Sequence, residues 1–396
     1  MAILVAKGQA GLTGNSAIAH AMKQINPDVY AAYPITPSTG IMEEFSSYVA
    51  DGDVDTEFIT VESEHSAMSA CIGASASGAR VMTATSSQGL ALMWEMLYIA
   101  SGMRLPIALI NVNRALSAPI NIHCDHSDSM GARDSGWIQV YSETVQEAYD
   151  NLFQAVRIAE NEKVLLPVMV CLDGFITSHA IENISLIDDA EVREFIGEYR
   201  AKHSLLDTDH PVTYGAMTLP DSYMEFKHQQ SEAIAGAKDV VSEIGREFGK
   251  KFGREYGLME KYRLEDADAA IVILSSAAGT TKVAVDELRK AGKKVGILRP
   301  RLFRPFPFRE IADALKNVKA IAVLDRADSM SGFGGPLFNE VRSALYELEK
   351  RPKVVSRIFG LGGRDYKVKD AIEVFDDLLK IAETGKVETV TKYITL

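Results

Sequence analysis

With 396 residues, 47% of them hydrophobic and 24% charged, the chain has ordinary globular usage and the length of roughly two or three domains, which excludes a disordered, collagen-like or disulfide-scaffold protein. Acidic residues outnumber basic ones by 54 to 42, and the resulting net charge of −12 argues against a nucleic-acid binder or a basic membrane-surface protein. The three cysteines, Cys71, Cys124 and Cys171, contain no CxxC pair, so this chain alone builds no disulfide framework, zinc site or iron–sulfur cluster.

The start, MAILVAKGQAGLTGNSAIAH, reads as a strand running into a turn and a helix rather than a signal peptide. No uninterrupted apolar stretch is long enough for a spanning helix, so no membrane is expected and the cytoplasm is the expected location. Short apolar runs at Val29–Tyr33, Thr56–Val61, Arg80–Ala84, Ile107–Val112 and Leu166–Leu172 alternate with helical patterns. This is the signature of an α/β domain with a mainly parallel sheet. The Ser63–Ala79 segment, rich in Ala, Ser and Gly, predicts a small-residue helix packed close to a neighbour.

From Asp189 to Arg263 the sequence is charged and irregular, with breaks at Pro211 and Pro220 and a Lys/Glu-rich helical stretch from Gln229 to about Tyr256. It reads as a connecting arm. A second alternation follows, with strands at Ala270–Ser275, Lys294–Leu298, Ala320–Leu324 and Val354–Phe359 and Gly292 closing the first helix. The expected division is 1–262, including the arm from about 189, and a smaller α/β domain over 263–396.

No GxxxxGK[ST] loop, HExxH, GxSxG or GxGxxG after the first strand occurs. The polar segments that remain sit at strand ends. Tyr33-Pro34-Ile35-Thr36-Pro37-Ser38-Thr39 places Thr36 between two prolines where open α/β sheets bind ligands, although Ser38 or Thr39 could equally cap a helix. Glu62 and Glu64 stand where a strand meets the small-residue helix, as dipole-capping acids or as a carboxylate for proton exchange with a ligand nitrogen. Thr85-Ser86-Ser87-Gln88-Gly89 opens another helix, with Gln88 and Gly89 nearest any pocket. Arg114 closes an apolar strand and suits either a ligand carboxylate or an internal Asp.

The polar run from His123 through Cys124, Asp125 and His126 to Asp128 invites a metal, but adjacent residues rarely converge on one ion. It reads as a hydrogen-bonded loop, and no metal is assigned to this chain. His179 reads as a satisfied loop histidine, and Gly332–Gly335 and Gly360–Gly363 as glycine turns.

Taken in order, YPITPST, ESEHSA, TATSSQGLALM, NRALSAP, LDGFITSH, ILRPRLFRPFP and VLDRADSMSGFGGPLFNEV resemble the alpha subunit of pyruvate:ferredoxin oxidoreductase and its 2-oxoacid relatives, over nearly the whole chain. The resemblance implies a thiamine diphosphate enzyme that decarboxylates a 2-oxoacid, passes two electrons to ferredoxin and delivers the acyl group to coenzyme A. It implies a thiamine-enzyme pyrimidine-binding domain followed by a transketolase C-terminal-like domain. Asp51-Gly52-Asp53 lacks the partner asparagine of a diphosphate motif, so the cofactor would be shared with a beta subunit. Magnesium and 4Fe–4S clusters would lie on partner chains, with gamma and delta subunits or fused equivalents completing the assembly.

By the same resemblance Glu64 bonds the aminopyrimidine ring, Thr36 and Arg114 bind the 2-oxoacid, and Pro34, Ile35, Gln88 and Gly89 line the cofactor pocket. Pyruvate is the expected substrate, with branched-chain, aryl or 2-oxoglutarate forms as alternatives. A transketolase-like or dehydrogenase E1-type subunit that uses no ferredoxin is the other alternative.

Overall fold

The computed structural model describes the backbone of residues 3–6 and the whole of residues 8–396. Seven strands form the first sheet in the order Leu302–Arg304, Ile138–Tyr141, Val168–Asp173, Ile107–Asn113, Val81–Thr85, Val29–Ala32 and Glu57–Thr60. All neighbours are parallel except the outermost pair, Leu302–Arg304 against Ile138–Tyr141. The central strands Val81–Thr85, Ile107–Asn113 and Val168–Asp173 are buried at every position, as a sheet covered on both faces requires.

The Val145–Glu160 helix crosses one face and is almost wholly buried; the Thr144 hydroxyl caps it by accepting from Glu147 N–H at 3.1 Å. The Gly14–Ile25 helix lies beside it, capped by Thr13 and ended by Asn26 in the left-handed conformation. The Glu64–Ala76 helix packs on the opposite side, with Ser63 accepting from Ser66 N–H at 3.2 Å. Its buried positions Ala67, Met68, Cys71 and Ile72 join a core that continues into the second sheet.

That second sheet runs Met259–Tyr262, Val295–Pro300, Ala269–Ile273, Ala320–Asp325, Lys353–Ile358 and Thr391–Tyr393, parallel apart from Met259–Tyr262. A three-stranded antiparallel sheet of Ile3–Ala6, Gln9–Thr13 and Ile181–Ser185 completes the strands. Strands cross the expected division at residue 262. Met259–Tyr262 pairs in the second sheet, while Leu302–Arg304 returns to edge the first.

The charged segment after residue 189 carries two helices, Asp189–Ile196 and Tyr223–Phe252. The long one starts six residues before the expected Gln229 and ends at Phe252, where Gly253 adopts a φ of +76°. Its last turns are anchored by Val240, Val241, Ile244 and Phe248, which share a core with the Val145–Glu160 helix. The sequence in this region reads as charged because only this stripe is apolar.

Candidate functional site

Four of the polar segments singled out in the sequence follow four adjacent parallel strands. Thr36 lies beyond Val29–Ala32, Glu64 beyond Glu57–Thr60, Gln88 and Gly89 beyond Val81–Thr85, and Arg114 beyond Ile107–Asn113. The chain passes from Val29–Ala32 outward to Glu57–Thr60 and then back across to Val81–Thr85. This reversal is a topological switch point, and it opens a crevice at the carboxyl ends of the strands.

Glu64 is the first residue of its helix and only 6% exposed. No other described residue hydrogen-bonds its carboxylate, and burial raises its pKa above the ordinary carboxyl value. Gly89 lies against it: a Cβ there would come within 2.6 Å of Glu64 Oε1 and 2.4 Å of Thr85 Oγ1. The Thr85 and Ser86 hydroxyls beside it are buried without hydrogen-bond partners. Native interiors rarely leave such groups unpaired, which makes this corner a candidate for polar contacts from a ligand or ordered water.

Arg114 is 7% exposed. Its guanidinium donates from Nη1 to the Thr36 carbonyl at 2.9 Å and from Nε to the Asn121 carbonyl at 3.0 Å. It pairs with no carboxylate among the described residues, so its charge is oriented but not neutralised. No internal Asp pairs with the guanidinium among the described residues; the nearby Asp128 accepts instead from the Arg114 backbone N–H at 3.1 Å. Thr36 is exposed beside the guanidinium, Pro34 is exposed and Ile35 half-buried. Ser38 stands at the N-cap of the following helix, as one expectation had it, but makes no side-chain cap bond; its hydroxyl donates to the Ile35 carbonyl at 2.8 Å and fixes the turn.

Asp128 joins the two halves of the crevice, a role that the sequence reading missed. Its buried carboxylate accepts from Ser87 N–H at 3.0 Å, Arg114 N–H at 3.1 Å, Asn113 Nδ2 at 2.8 Å and Ser129 N–H at 2.7 Å. Ser87 is thereby held at a φ of +48°, a conformation that non-glycine residues adopt only when their surroundings impose it. The Ser87 hydroxyl adds a bond to the Ala115 carbonyl at 2.6 Å, so the turn carrying Gln88 and Gly89 is set directly against the Arg114 strand.

The ligand atoms of Cys124, His126 and Asp173 lie within 4.8 Å of one another and are all buried. They are already engaged. His126 Nε2 meets Asp173 Oδ1 at 2.8 Å, and Arg326 Nη1 donates to Asp173 Oδ2 at 3.0 Å and to Cys124 Sγ at 3.7 Å. Ser276 bonds the same carboxylate through its hydroxyl and its amide. A fixed guanidinium among the donors repels a cation, so the cluster is an ion-pair network joining the two sheets. His123 points elsewhere, with its ring 4.9 Å from that of Phe175. His179 stacks on Phe175 and hydrogen-bonds Ser178 at 2.8 Å, as expected of a loop histidine. All three cysteines are free and buried.

A partnerless buried carboxylate at the switch point of a parallel sheet, facing a glycine turn, is the arrangement of a cofactor-binding domain, and comparison with known families gives its class. Residues 20–246 match the model of the pyruvate flavodoxin/ferredoxin oxidoreductase thiamine diphosphate-binding domain. Residues 267–371 match pyruvate:ferredoxin oxidoreductase core domain II. The chain therefore belongs to the pyruvate:ferredoxin oxidoreductase family and is a chain of a 2-oxoacid:ferredoxin oxidoreductase with a thiamine diphosphate-binding domain.

Pyruvate synthase subunit PorA of Thermotoga maritima is 55% identical over 371 residues, covering 94% of this chain and 94% of that protein. Ketoisovalerate oxidoreductase subunit VorA of Pyrococcus abyssi is 45% identical over 378 residues, covering 95% of each. Among solved structures, a 2-oxoglutarate:ferredoxin oxidoreductase from Magnetococcus marinus superposes with a TM-score of 0.73 at 21% identity, covering 94% of this chain and 65% of that one. At that identity the likeness is one of fold. No helix among the described residues is long and apolar enough to cross a membrane.

Proposed function

We propose that this chain is the alpha subunit of an oxidoreductase that converts pyruvate and coenzyme A to acetyl-CoA and CO2, with ferredoxin as electron acceptor. The observation that carries this reading is Glu64: a largely buried carboxyl with a raised pKa, no partner from another described residue, and a glycine turn opposite. Such a carboxyl can share a proton with a ring nitrogen of thiamine diphosphate, and Gly89 leaves its side chain the room it occupies, which an alanine would take. When bound, thiamine diphosphate supplies a nucleophilic carbon and an electron sink for loss of CO2.

The protein contributes binding and orientation. Glu64 fixes the ring and its proton; Pro34, Ile35, Gln88 and Gly89 border the pocket. Arg114 and Thr36 present a positive, unneutralised guanidinium and a hydroxyl to the carboxylate and carbonyl side of the 2-oxoacid. The division into a pyrimidine-binding domain over 1–262 and a transketolase C-terminal-like domain over 263–396 is supported by the two family matches on either side of it.

With three buried cysteines and no diphosphate motif, the chain leaves magnesium, the diphosphate contacts and the 4Fe–4S clusters to partners. A beta subunit would complete the cofactor site, gamma and delta subunits or their fused equivalents would complete the electron path, and the assembly would be cytoplasmic. Purification of the native complex, followed by assays with ferredoxin and coenzyme A, tests this reading. Pyruvate should give the highest kcat/KM among pyruvate, ketoisovalerate and 2-oxoglutarate. A preference for either of the others moves the chain to a different substrate class, and CO2 release without ferredoxin reduction removes the electron-transfer assignment.

A further inference from the structure

Arg114 is held from one side by a loop that the second domain grips. The Asn121 carbonyl that receives Arg114 Nε belongs to the segment Asn121–Asp125, and three hydrogen bonds tie this segment to the Gly360–Gly363 turn. Asn121 Nδ2 donates to the Gly362 carbonyl at 2.9 Å, Gly362 N–H donates to Asp125 Oδ2 at 3.3 Å, and Gly363 N–H donates to the Cys124 carbonyl at 2.7 Å. Asn121 is stiffened further by its own Oδ1, which accepts from His123 N–H at 2.7 Å.

The turn must be glycine for two independent reasons. Gly362 and Gly363 have φ of +61° and +80°, in the left-handed region. A Cβ on Gly362 would also stand 2.4 Å from Asn121 Nδ2, and one on Gly363 would stand 2.4 Å from His123 Cβ. The backbone of the second domain thus approaches the loop as closely as a side-chain-free residue permits. The strap is short, running from Gly362 through one asparagine to the Nε of the arginine, and at its other end Nη1 is fixed by Thr36. Nη2 is left with no protein partner among the described residues.

We propose that the second domain takes part in substrate recognition. Its Gly360–Gly363 turn, acting through Asn121, is a positioning element that aims the Arg114 guanidinium at the carboxylate of the 2-oxoacid. The inference rests on the assignment of Arg114 to that carboxylate.

The test is a set of variants in the assembled oxidoreductase, read with pyruvate. Gly362→Ala forces the strap apart, and Asn121→Ala removes the donor to Gly362 without altering the turn. Each raises KM for pyruvate about tenfold with a smaller change in kcat, since small misplacements of a positioning group cost up to about 100-fold. Thiamine diphosphate affinity stays at the parental value. In an Arg114→Lys background, where the Nε donor at the end of the strap no longer exists, the same changes alter kcat/KM by less than about twofold.

Equal losses in both backgrounds, or a matching fall in cofactor affinity, overturn the proposal and leave the turn a packing contact. If Arg114→Lys raises KM while Gly362→Ala and Asn121→Ala do not, the strap alone is overturned. If Arg114→Lys leaves KM unchanged, the Arg114 assignment fails and takes the inference with it.

Discussion

Gly89 and Glu64 meet at a distance that only a glycine permits: a Cβ on Gly89 would stand 2.6 Å from Glu64 Oε1. The Glu64 carboxylate would have to yield, and so would the Thr85 hydroxyl, which the same Cβ would meet at 2.4 Å. Gly89→Ala should therefore turn Glu64 away from the crevice without unfolding the chain. Thiamine diphosphate affinity of the assembled complex, measured by calorimetric titration, should fall at least about tenfold, the loss expected when one charged or shared-proton hydrogen bond is removed. Parental affinity in this variant would disconnect Glu64 from the cofactor.

Glu64→Gln keeps the shape and removes the titrating proton. Turnover should be largely lost while the complex assembles normally, and unchanged activity would refute the assignment. Stability should move the other way. Burial raises the Glu64 pKa in the folded chain, so folding binds a proton more tightly and stability falls as pH rises through and above the ordinary carboxyl range. The glutamine variant escapes that fall. In cofactor-free protein its melting temperature should exceed the parent's at neutral pH, and the gain should shrink as the solution is acidified; a gain that grows with acid would mean the opposite shift.

Arg326 faces the opposite demand, because its partner is a buried charge. Burial alone would raise the Asp173 pKa, but His126 and Arg326 outweigh it and hold the carboxyl well below its ordinary range. Arg326→Met leaves that carboxylate short of a counter-ion at the junction of the two sheets. The expected cost is about 3–5 kcal/mol of unfolding free energy, typical of breaking a buried pair by removing one member. A depressed pKa contributes stability above the unfolded value and loses it as pH falls. The difference between parent and variant in urea unfolding should therefore be largest near neutrality and narrow in acid.

The parts of this molecule that show in its sequence are those made by neighbours along the chain. Ala269–Ile273 is a continuous apolar run and Ile107–Asn113 begins with one, Ile107–Ile110, because both faces are covered, and each is legible as a strand. Leu302–Arg304 and Thr391–Tyr393 are three-residue edges, too short for a local pattern to mark, and the partner of the first lies more than 150 residues back at Val140. Glu64, Thr36 and Arg114 are legible as polar residues at strand ends, a position set by the alternation itself. The links between them are not. Asn121 and Gly362 are 241 residues apart, and the run from His123 to Asp128 looks like one cluster although the fold separates its members. His126 goes to Asp173, His123 to Phe175, and Asp128 to the backbone of Ser87 and Arg114.

Arg114 and Arg326 are both buried arginines near the same junction, and their environments predict opposite consequences of removal. Arg326 neutralises a carboxylate inside the chain, whereas Arg114 touches only the carbonyls of Thr36 and Asn121. Arg114→Ala strands no buried charge, and water can reach those carbonyls at the mouth of the crevice, so unfolding free energy should change by no more than about 1 kcal/mol. Its cost should appear in catalysis: kcat/KM for pyruvate should fall by about 2–4 kcal/mol, the loss on unpairing a charged contact made to the substrate. A variant that loses stability but keeps the parental kcat/KM would make Arg114 a structural residue. Loss of kcat/KM with the fold intact places the substrate carboxylate where the guanidinium has no partner of its own.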